Sequence, residues 1–248
     1  MPTFVELSEK IYESLKSLRK TPKEFARIVR GKLPNYKSHC LYHRDGFVPV
    51  KYTEGRQAAE ALIEELKDKD SLPKLSKNNG LTSAALHLAY LLSQGVSIED
   101  TSPTKTIGEY GYWYGSVLML IDEGNIEGDE VIQSLLLDDG LKEKTNKKAL
   151  LNPSMKLCGI GAVPKEVSGT LIVILVATDF IEKKEANEVV PSEEELPKYP
   201  ELDQWVEDAV KLDCEITHES IGDKTITRVK QTWQLADLST VITEKVIE

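Results

Sequence analysis

Apolar residues recur every three or four positions along the N-terminal part of the chain, which is the spacing of one helix face. The first such stripe predicts a helix that begins near residue 4 and ends before Thr21-Pro22. That pair begins a second helix, with a capping residue and a first-turn proline, and Gly31 and Pro34 end it. The predicted buried residues of the two helices are Phe4, Leu7, Ile11, Leu15, Leu18, Phe25, Ile28 and Val29.

The same helical spacing returns in the middle of the chain. It predicts helices over 57–67 and 81–92, of which 81–92 has the most regular pattern. A further helix begins at Asp129 and Glu130, because acidic side chains suit the positive end of a helix dipole. Residues 95–108 lack any such pattern and are predicted to form a loop.

Short apolar runs at 116–121, 155–161 and 170–177 predict β-strands. The last run is rich in β-branched residues on both faces, which is typical of a strand covered on both sides. Helices interleaved with buried strands indicate an α/β fold. We predict a three-layer α/β/α sandwich, in which a sheet lies between two layers of helices.

The chain changes character beyond residue 181. Residues 182–203 are acidic, contain Pro191, Pro197 and Pro200, and lack periodicity, so we predict a linker. Residues 212–218, 225–235 and 240–247 are then rich in β-forming residues. The predicted organisation is a sandwich domain over 1–181, an acidic linker over 182–203, and a β-ribbon extension over 204–248.

Charge is unevenly distributed along this acidic chain, whose formal net charge is −10. That balance argues against nonspecific nucleic-acid binding, which needs Lys and Arg to neutralise phosphates. Residues 9–32 nevertheless carry eight bases against three acids. The bases either lie on a solvated face or dock on an acidic partner. The candidate contacts are Lys16, Arg19, Lys20, Lys23, Arg27 and Arg30.

The three cysteines, Cys40, Cys158 and Cys214, are widely spaced and form no CxxC pair. This is not the pattern of a disulfide framework, so we expect all three thiols to be reduced. The N-terminus lacks the charged and apolar regions of a signal peptide. The longest apolar run, 171–177, is too short to span a bilayer. These features predict a cytoplasmic protein with no membrane span.

Several segments, taken in order, resemble the CAP superfamily of cysteine-rich secretory, antigen 5 and pathogenesis-related proteins, and in particular its intracellular protist type. Residues 17–25 are similar to the family's opening R-x-N-P-x-x-F, and residues 110–116 look like YG-x-W-x-GS. Residues 131–140 with 151–153 look like VIQ…DDG…NP. The remaining matching segments are 54–67, 72–75, 81–92 and 158–161. The resemblance implies the three-layer α/β/α sandwich of that family.

The family's central cleft holds two histidines and two acidic residues, which bind a divalent metal in some members. By the resemblance, Met119 stands where a glutamate belongs and Asn146 where a histidine belongs. No histidine occurs near residues 95–97, and only Asp138 or Asp139 can supply the remaining acid. Such a cleft neither ligates a metal well nor transfers protons. We therefore expect no enzyme activity, no catalytic residue, no bound metal and no cofactor.

The histidines offer two further hypotheses. His39, Cys40 and His43 are close enough in sequence to suggest a metal site, but the surrounding turn signals favour a surface loop. His87 lies in the predicted helix 81–92. There, a partly buried, hydrogen-bonded histidine is a better interpretation than a general base.

Aromatic residues cluster at 110–114. In an extended segment, Tyr112 and Tyr114 share one side and Trp113 takes the other. One side is expected in the core, and the other is either core as well or an anchor for a partner. Trp233 in the predicted C-terminal ribbon is a further candidate contact.

The sequence therefore predicts a non-catalytic subunit that acts through other proteins in a larger intracellular assembly. Acidic cytoskeletal surfaces such as microtubules, including those of the ciliary axoneme, would complement the basic stretch. The alternative is a carrier that holds a lipid or another small molecule in a groove.

Overall fold

The computed structural model describes residues 3–43, 50–166, 169–184, 192, 209–221, 224–235 and 240–247. A short 3₁₀ helix lies at Leu33–Asn35 within these ranges. The α-helices are α1 (Phe4–Lys20), α2 (Pro22–Gly31), α3 (Arg56–Lys67), α4 (Asn79–Ser93), α5 (Pro103–Tyr110), α6 (Gly128–Leu137) and α7 (Thr145–Leu150).

The strands form three sheets. A two-stranded sheet pairs β1 with β2, a four-stranded mixed sheet has the order β3-β5-β6-β4, and an antiparallel sheet has the order β7-β8-β9. The third sheet confirms the strands predicted near the C-terminus. The strands are β1 (Leu41–Tyr42), β2 (Val50–Lys51), β3 (Ser76–Lys77), β4 (Gly111–Glu123), β5 (Leu157–Lys165), β6 (Gly169–Glu182), β7 (Ala209–Ile221), β8 (Lys224–Leu235) and β9 (Thr240–Ile247).

The two N-terminal helices follow the predicted apolar stripes, with one exception. Thr3 and Glu6 form a reciprocal capping box that begins α1. The whole predicted face of α1 is at most 1% exposed. In α2, Phe25 and Val29 are buried as predicted, but Ile28 is 36% exposed, so its predicted burial is wrong. The helix buries a narrow face, and Ile28 lies beside it.

One face of the four-stranded sheet is covered by α4. The helix packs on Leu171, Val173, Leu175 and Ala177, which alternate along β6. Glycine in β5 allows the close approach, since a Cβ atom at Gly159 would lie 2.1 Å from the backbone of α4.

The opposite face of the sheet is covered by the layer that contains α1. This helix contacts β5, where Cys158, Ile160 and Ala162 alternate with the residues that face α4 and are buried. Helix α6 lies next to α1 in this layer. The two backbones are close at Gly128, where a Cβ atom would lie 2.4 Å from the backbone of Lys10. Residues 170–177 of β6 are buried throughout, as expected for a strand with both faces covered. The predicted α/β sandwich is confirmed.

Two predicted elements differ from the structure. Residues 103–110 form α5 and not a loop, because Pro103 begins the helix and Thr106, Ile107 and Tyr110 give it a buried face. The strand predicted over 116–121 extends over 111–123 as β4, and most of its residues are exposed or only partly buried. This strand lies at the edge of its sheet, so one of its faces is only partly covered.

The chain divides into two compact units. The first comprises residues 1–29 and 62–197 and contains the sandwich, and the second comprises residues 30–61 and 198–248. Residues 30–61, which the sequence assigned to the sandwich domain, thus fall in the second unit. The predicted boundaries at 181 and 203 stay predictions. Among the described residues, no helix combines the length and the apolar character needed to cross a bilayer.

Candidate functional site

Two of the four positions expected in a CAP-type cleft lie side by side. Asp138 ends α6 in the left-handed conformation, and its carboxylate reaches the first turn of α7. Its Oδ2 atom accepts hydrogen bonds from the backbone N–H of Asn146 at 2.6 Å and of Lys147 at 3.1 Å. Its Oδ1 atom accepts one from Asn146 Nδ2 at 2.7 Å. The side chain is buried, so its chemistry is that of a helix cap.

Met119 does not join this pair. Its side chain packs against the core cluster between the sheet and α4. Asp138 ends α6, which lies in the α1 layer on the other side of the sheet. Asp139 follows in the turn after α6. The structure therefore brings Asp138 and Asn146 together but leaves Met119 apart from them.

Tyr112 and Tyr114 lie on the open face of β4. Their side chains are 61% and 62% exposed, and Ile181, the neighbour of Tyr112 across the strand pair, is 55% exposed. Trp113 points to the opposite side, where it packs against the core cluster with α4. The predicted division of these aromatic residues between two faces is confirmed. We call Tyr112, Tyr114 and Ile181 the aromatic patch.

A β-bulge beside the aromatic patch fixes the position of Tyr114. Gly115 has φ 80°, and a Cβ atom there would lie 2.5 Å from Thr178 Oγ1. That hydroxyl donates a hydrogen bond to the carbonyl of Tyr114 at 2.6 Å and accepts one from Ser116 N–H at 3.0 Å. Glycine at 115 is thus required both by its conformation and by the close approach of Thr178.

Lys183 lies against the aromatic patch. Its ammonium group lies 4.6 Å from the centre of the Tyr112 ring and donates a hydrogen bond to the carbonyl of Gly108. The backbone N–H of Lys183 donates to the carbonyl of Tyr110 at 2.9 Å. The cation therefore supports one edge of the patch and leaves most of both tyrosine rings accessible.

Most of the predicted basic contacts are exposed, and two of them are ion-paired within their own helix. Lys16 pairs with Glu13 at 2.6 Å, and Arg27 pairs with Glu24 at 2.7 Å. The other exposed bases of the set have no ion-pair partner in the part of the chain that the structure describes. These are Lys20, Lys23 and Arg30.

Arg19 is buried, so its prediction as a partner contact is wrong. It is only 1% exposed, and burial lowers the pKa of its guanidinium group. The group donates four hydrogen bonds to backbone carbonyls. The acceptors are Pro73 at 2.7 Å, Leu150 at 2.8 Å, Asn152 at 3.0 Å and Met155 at 3.2 Å. The sequence carried a signal for this burial, because Arg19 lies on the apolar stripe of α1, four residues after Leu15.

Two further predicted features have different outcomes. Trp233 lies in β8 opposite Leu212 and Val241. Its side chain is outside the described part of the structure, so its role stays a prediction. His87 is partly buried and hydrogen-bonded, as predicted. Its Nδ1 atom lies 3.0 Å from the hydroxyl of Tyr110, and burial raises the pKa of that tyrosine.

Among the residues that the structure describes, the histidines and cysteines form no metal centre. Within the described ranges, no three His, Cys, Asp or Glu side chains are arranged to hold a metal ion. His43 is buried, and the Cys40 thiol donates a hydrogen bond to the carbonyl of Thr53 at 3.5 Å. Burial raises the pKa of Cys158 to about 12, so its thiol stays protonated and unreactive.

An open cleft of about 450 Å³ lies beside the start of α1. Phe4 and Pro164 line it together with the polar residues Gln94, Lys165 and Glu166. Lys165 is paired with Glu123 at 2.8 Å. Lipid carriers enclose their ligands in largely apolar cavities, and this cleft is neither enclosed nor largely apolar.

Comparison with known proteins does not assign this chain to a family. No family model matches the sequence, and no curated protein matches it. One similar solved structure is that of an outer surface protein from Borrelia burgdorferi. It is 20% identical over 51% of this chain and 96% of that protein, with a TM-score of 0.37.

Proposed function

We propose that this chain is a non-catalytic protein-interaction module. The observation that supports the proposal is the aromatic patch. Tyr112, Tyr114 and Ile181 are neighbours on one sheet face and are each more than half exposed. Tyrosines on a rigid scaffold are common anchors in protein interfaces, because they bury a large area at low conformational cost.

The cleft positions support the non-catalytic part of the proposal. The Asp138 carboxylate is occupied by three hydrogen bonds from the start of α7, and Asn146 supplies two of them. These hydrogen bonds support a structural role for both residues. The order of motifs that resembles the CAP superfamily is consistent with such a degenerate member.

The partner we propose is another protein in a larger intracellular assembly of the cytoskeletal or ciliary type. The exposed bases Lys20 and Lys23 favour a partner surface that is acidic. The lipid-carrier alternative has less support, since the described cleft is open and partly polar.

The patch can be tested by site-specific photocrosslinking. A benzophenone amino acid replaces Tyr112 in one variant. In the matched control it replaces Tyr90, which is 55% exposed on α4. We expect cells that express the first variant to give a discrete crosslinked species and the control to give none. Equal products from both positions, or none from Tyr112, would contradict the proposal.

Salt extraction tests the assembly. We expect the wild-type chain to sediment with the cytoskeletal fraction and to be released as salt rises, because exposed charges are screened over about 8 Å at physiological ionic strength. The double variant Tyr112→Ser/Tyr114→Ser should move to the supernatant, and Tyr90→Ser should not. Recovery of the wild-type chain entirely in the low-salt supernatant would refute a stable assembly.

A further inference from the structure

The outer face of α2 combines three kinds of side chain that protein interfaces use together. Lys23 and Arg27 are exposed one helical turn apart. Glu24 lies between them in sequence, and Ile28 is 36% exposed beside Arg27. The opposite face of the helix holds Pro22, Phe25, Ala26 and Val29 in the core.

The charged side chains on this face differ in whether they already have an ion-pair partner. The Nη1 atom of Arg27 donates to both carboxylate oxygens of Glu24 at 2.7 Å. Lys23 and the neighbouring Lys20 are exposed and have no ion-pair partner in the described ranges. The face therefore carries one unneutralised positive charge, that of Lys23, next to an internally paired arginine, and Lys20 adds a second exposed base at the end of α1.

This arrangement discriminates between classes of acidic partner. A uniform polyanion such as a nucleic acid or an anionic bilayer would place negative charge against Glu24 as well as against the bases, and like charges repel. A protein segment can instead place carboxylates at Lys20 and Lys23, leave Glu24 with Arg27, and cover Ile28 with an apolar side chain.

We propose that the outer face of α2 docks an acidic segment of another protein, in which carboxylates flank an apolar side chain; this inference rests on the acidic protein partner of the proposed function. The bases supply charge complementarity, and Ile28 supplies the apolar contact. This surface is separate in sequence from the aromatic patch on β4 and β6. A chain with both surfaces can join two partners.

The test measures binding by fluorescence anisotropy with the full chain at low salt. The probe is a short fluorescein-labelled peptide in which two glutamates flank a single leucine on each side. We expect saturable binding that weakens about 10-fold in Lys23→Glu and about 5-fold in Ile28→Ser. The matched control Lys105→Glu makes the same charge change on the exposed side of α5 and should alter Kd less than about 2-fold.

Two comparison probes distinguish this proposal from general anion binding. A single-stranded thymidine oligonucleotide and phosphatidylserine vesicles should bind more weakly than the peptide. The proposal is overturned if the peptide does not bind, if Lys105→Glu weakens binding as much as Lys23→Glu, or if either polyanion binds more tightly. The variant Tyr112→Ser/Tyr114→Ser should retain peptide binding, because it leaves α2 unchanged. The result of this test is therefore independent of whether the aromatic-patch proposal holds.

Discussion

Arg19 offers the sharpest test of how the sandwich is held together. Its guanidinium group is 1% exposed and crosslinks α1 to two other segments through the carbonyls of Pro73, Leu150, Asn152 and Met155. Replacement by methionine keeps much of the apolar stem and removes all of the donors. The substitution therefore isolates the hydrogen bonds from the packing of the side chain.

The expected loss follows from the carbonyls that are left behind. A buried polar group without a partner costs about 1–3 kcal/mol, and water that enters the vacated space can satisfy some of the four. If about half stay unsatisfied, Arg19→Met lowers the free energy of unfolding by about 2–6 kcal/mol. That is a large fraction of the roughly 5–15 kcal/mol typical of a domain.

Urea denaturation followed by far-UV circular dichroism measures this loss. Lys20→Met is the matched control, because the neighbouring side chain is exposed and its loss should change the free energy of unfolding by less than about 0.5 kcal/mol. Arg19→Lys should lie between the two, since an ammonium group has three donors and no planar fork. A change below about 1 kcal/mol in Arg19→Met would refute the reasoning.

Two further predictions concern buried groups. The Cys158 thiol, whose pKa burial raises to about 12, should resist iodoacetamide at pH 8 while Cys40 reacts, and mass spectrometry of the folded chain checks this. Because the unfolded thiol ionises near pH 9, the wild-type chain should lose stability between pH 9 and pH 12, and Cys158→Ala should lose less. Gln133 is 1% exposed, and its amide has no hydrogen-bond partner among the described residues. Gln133→Met should therefore raise the free energy of unfolding by about 1 kcal/mol in urea titrations, and a decrease would show that the amide is satisfied.

The aromatic residues of β4 show what a sequence pattern can predict and what it cannot. Alternation along an extended strand was sufficient to place Tyr112 and Tyr114 on one side and Trp113 on the other. It could not decide which side is covered. That depended on α4 packing behind Trp113 and on β4 taking the edge of the sheet.

Local periodicity by itself determined the elements whose buried faces are continuous. The stripe of α1, the helix α4 and the doubly buried strand β6 all follow from the spacing of apolar residues, because each must bury a face to form. The α/β architecture follows from their order. Contacts between distant segments decided the rest. Arg19 is buried because four carbonyls from two later stretches of chain converge on it. Asp138 caps α7 because the turn after α6 brings the first residues of α7 back to its carboxylate, and these placements depend on packing that no local spacing specifies.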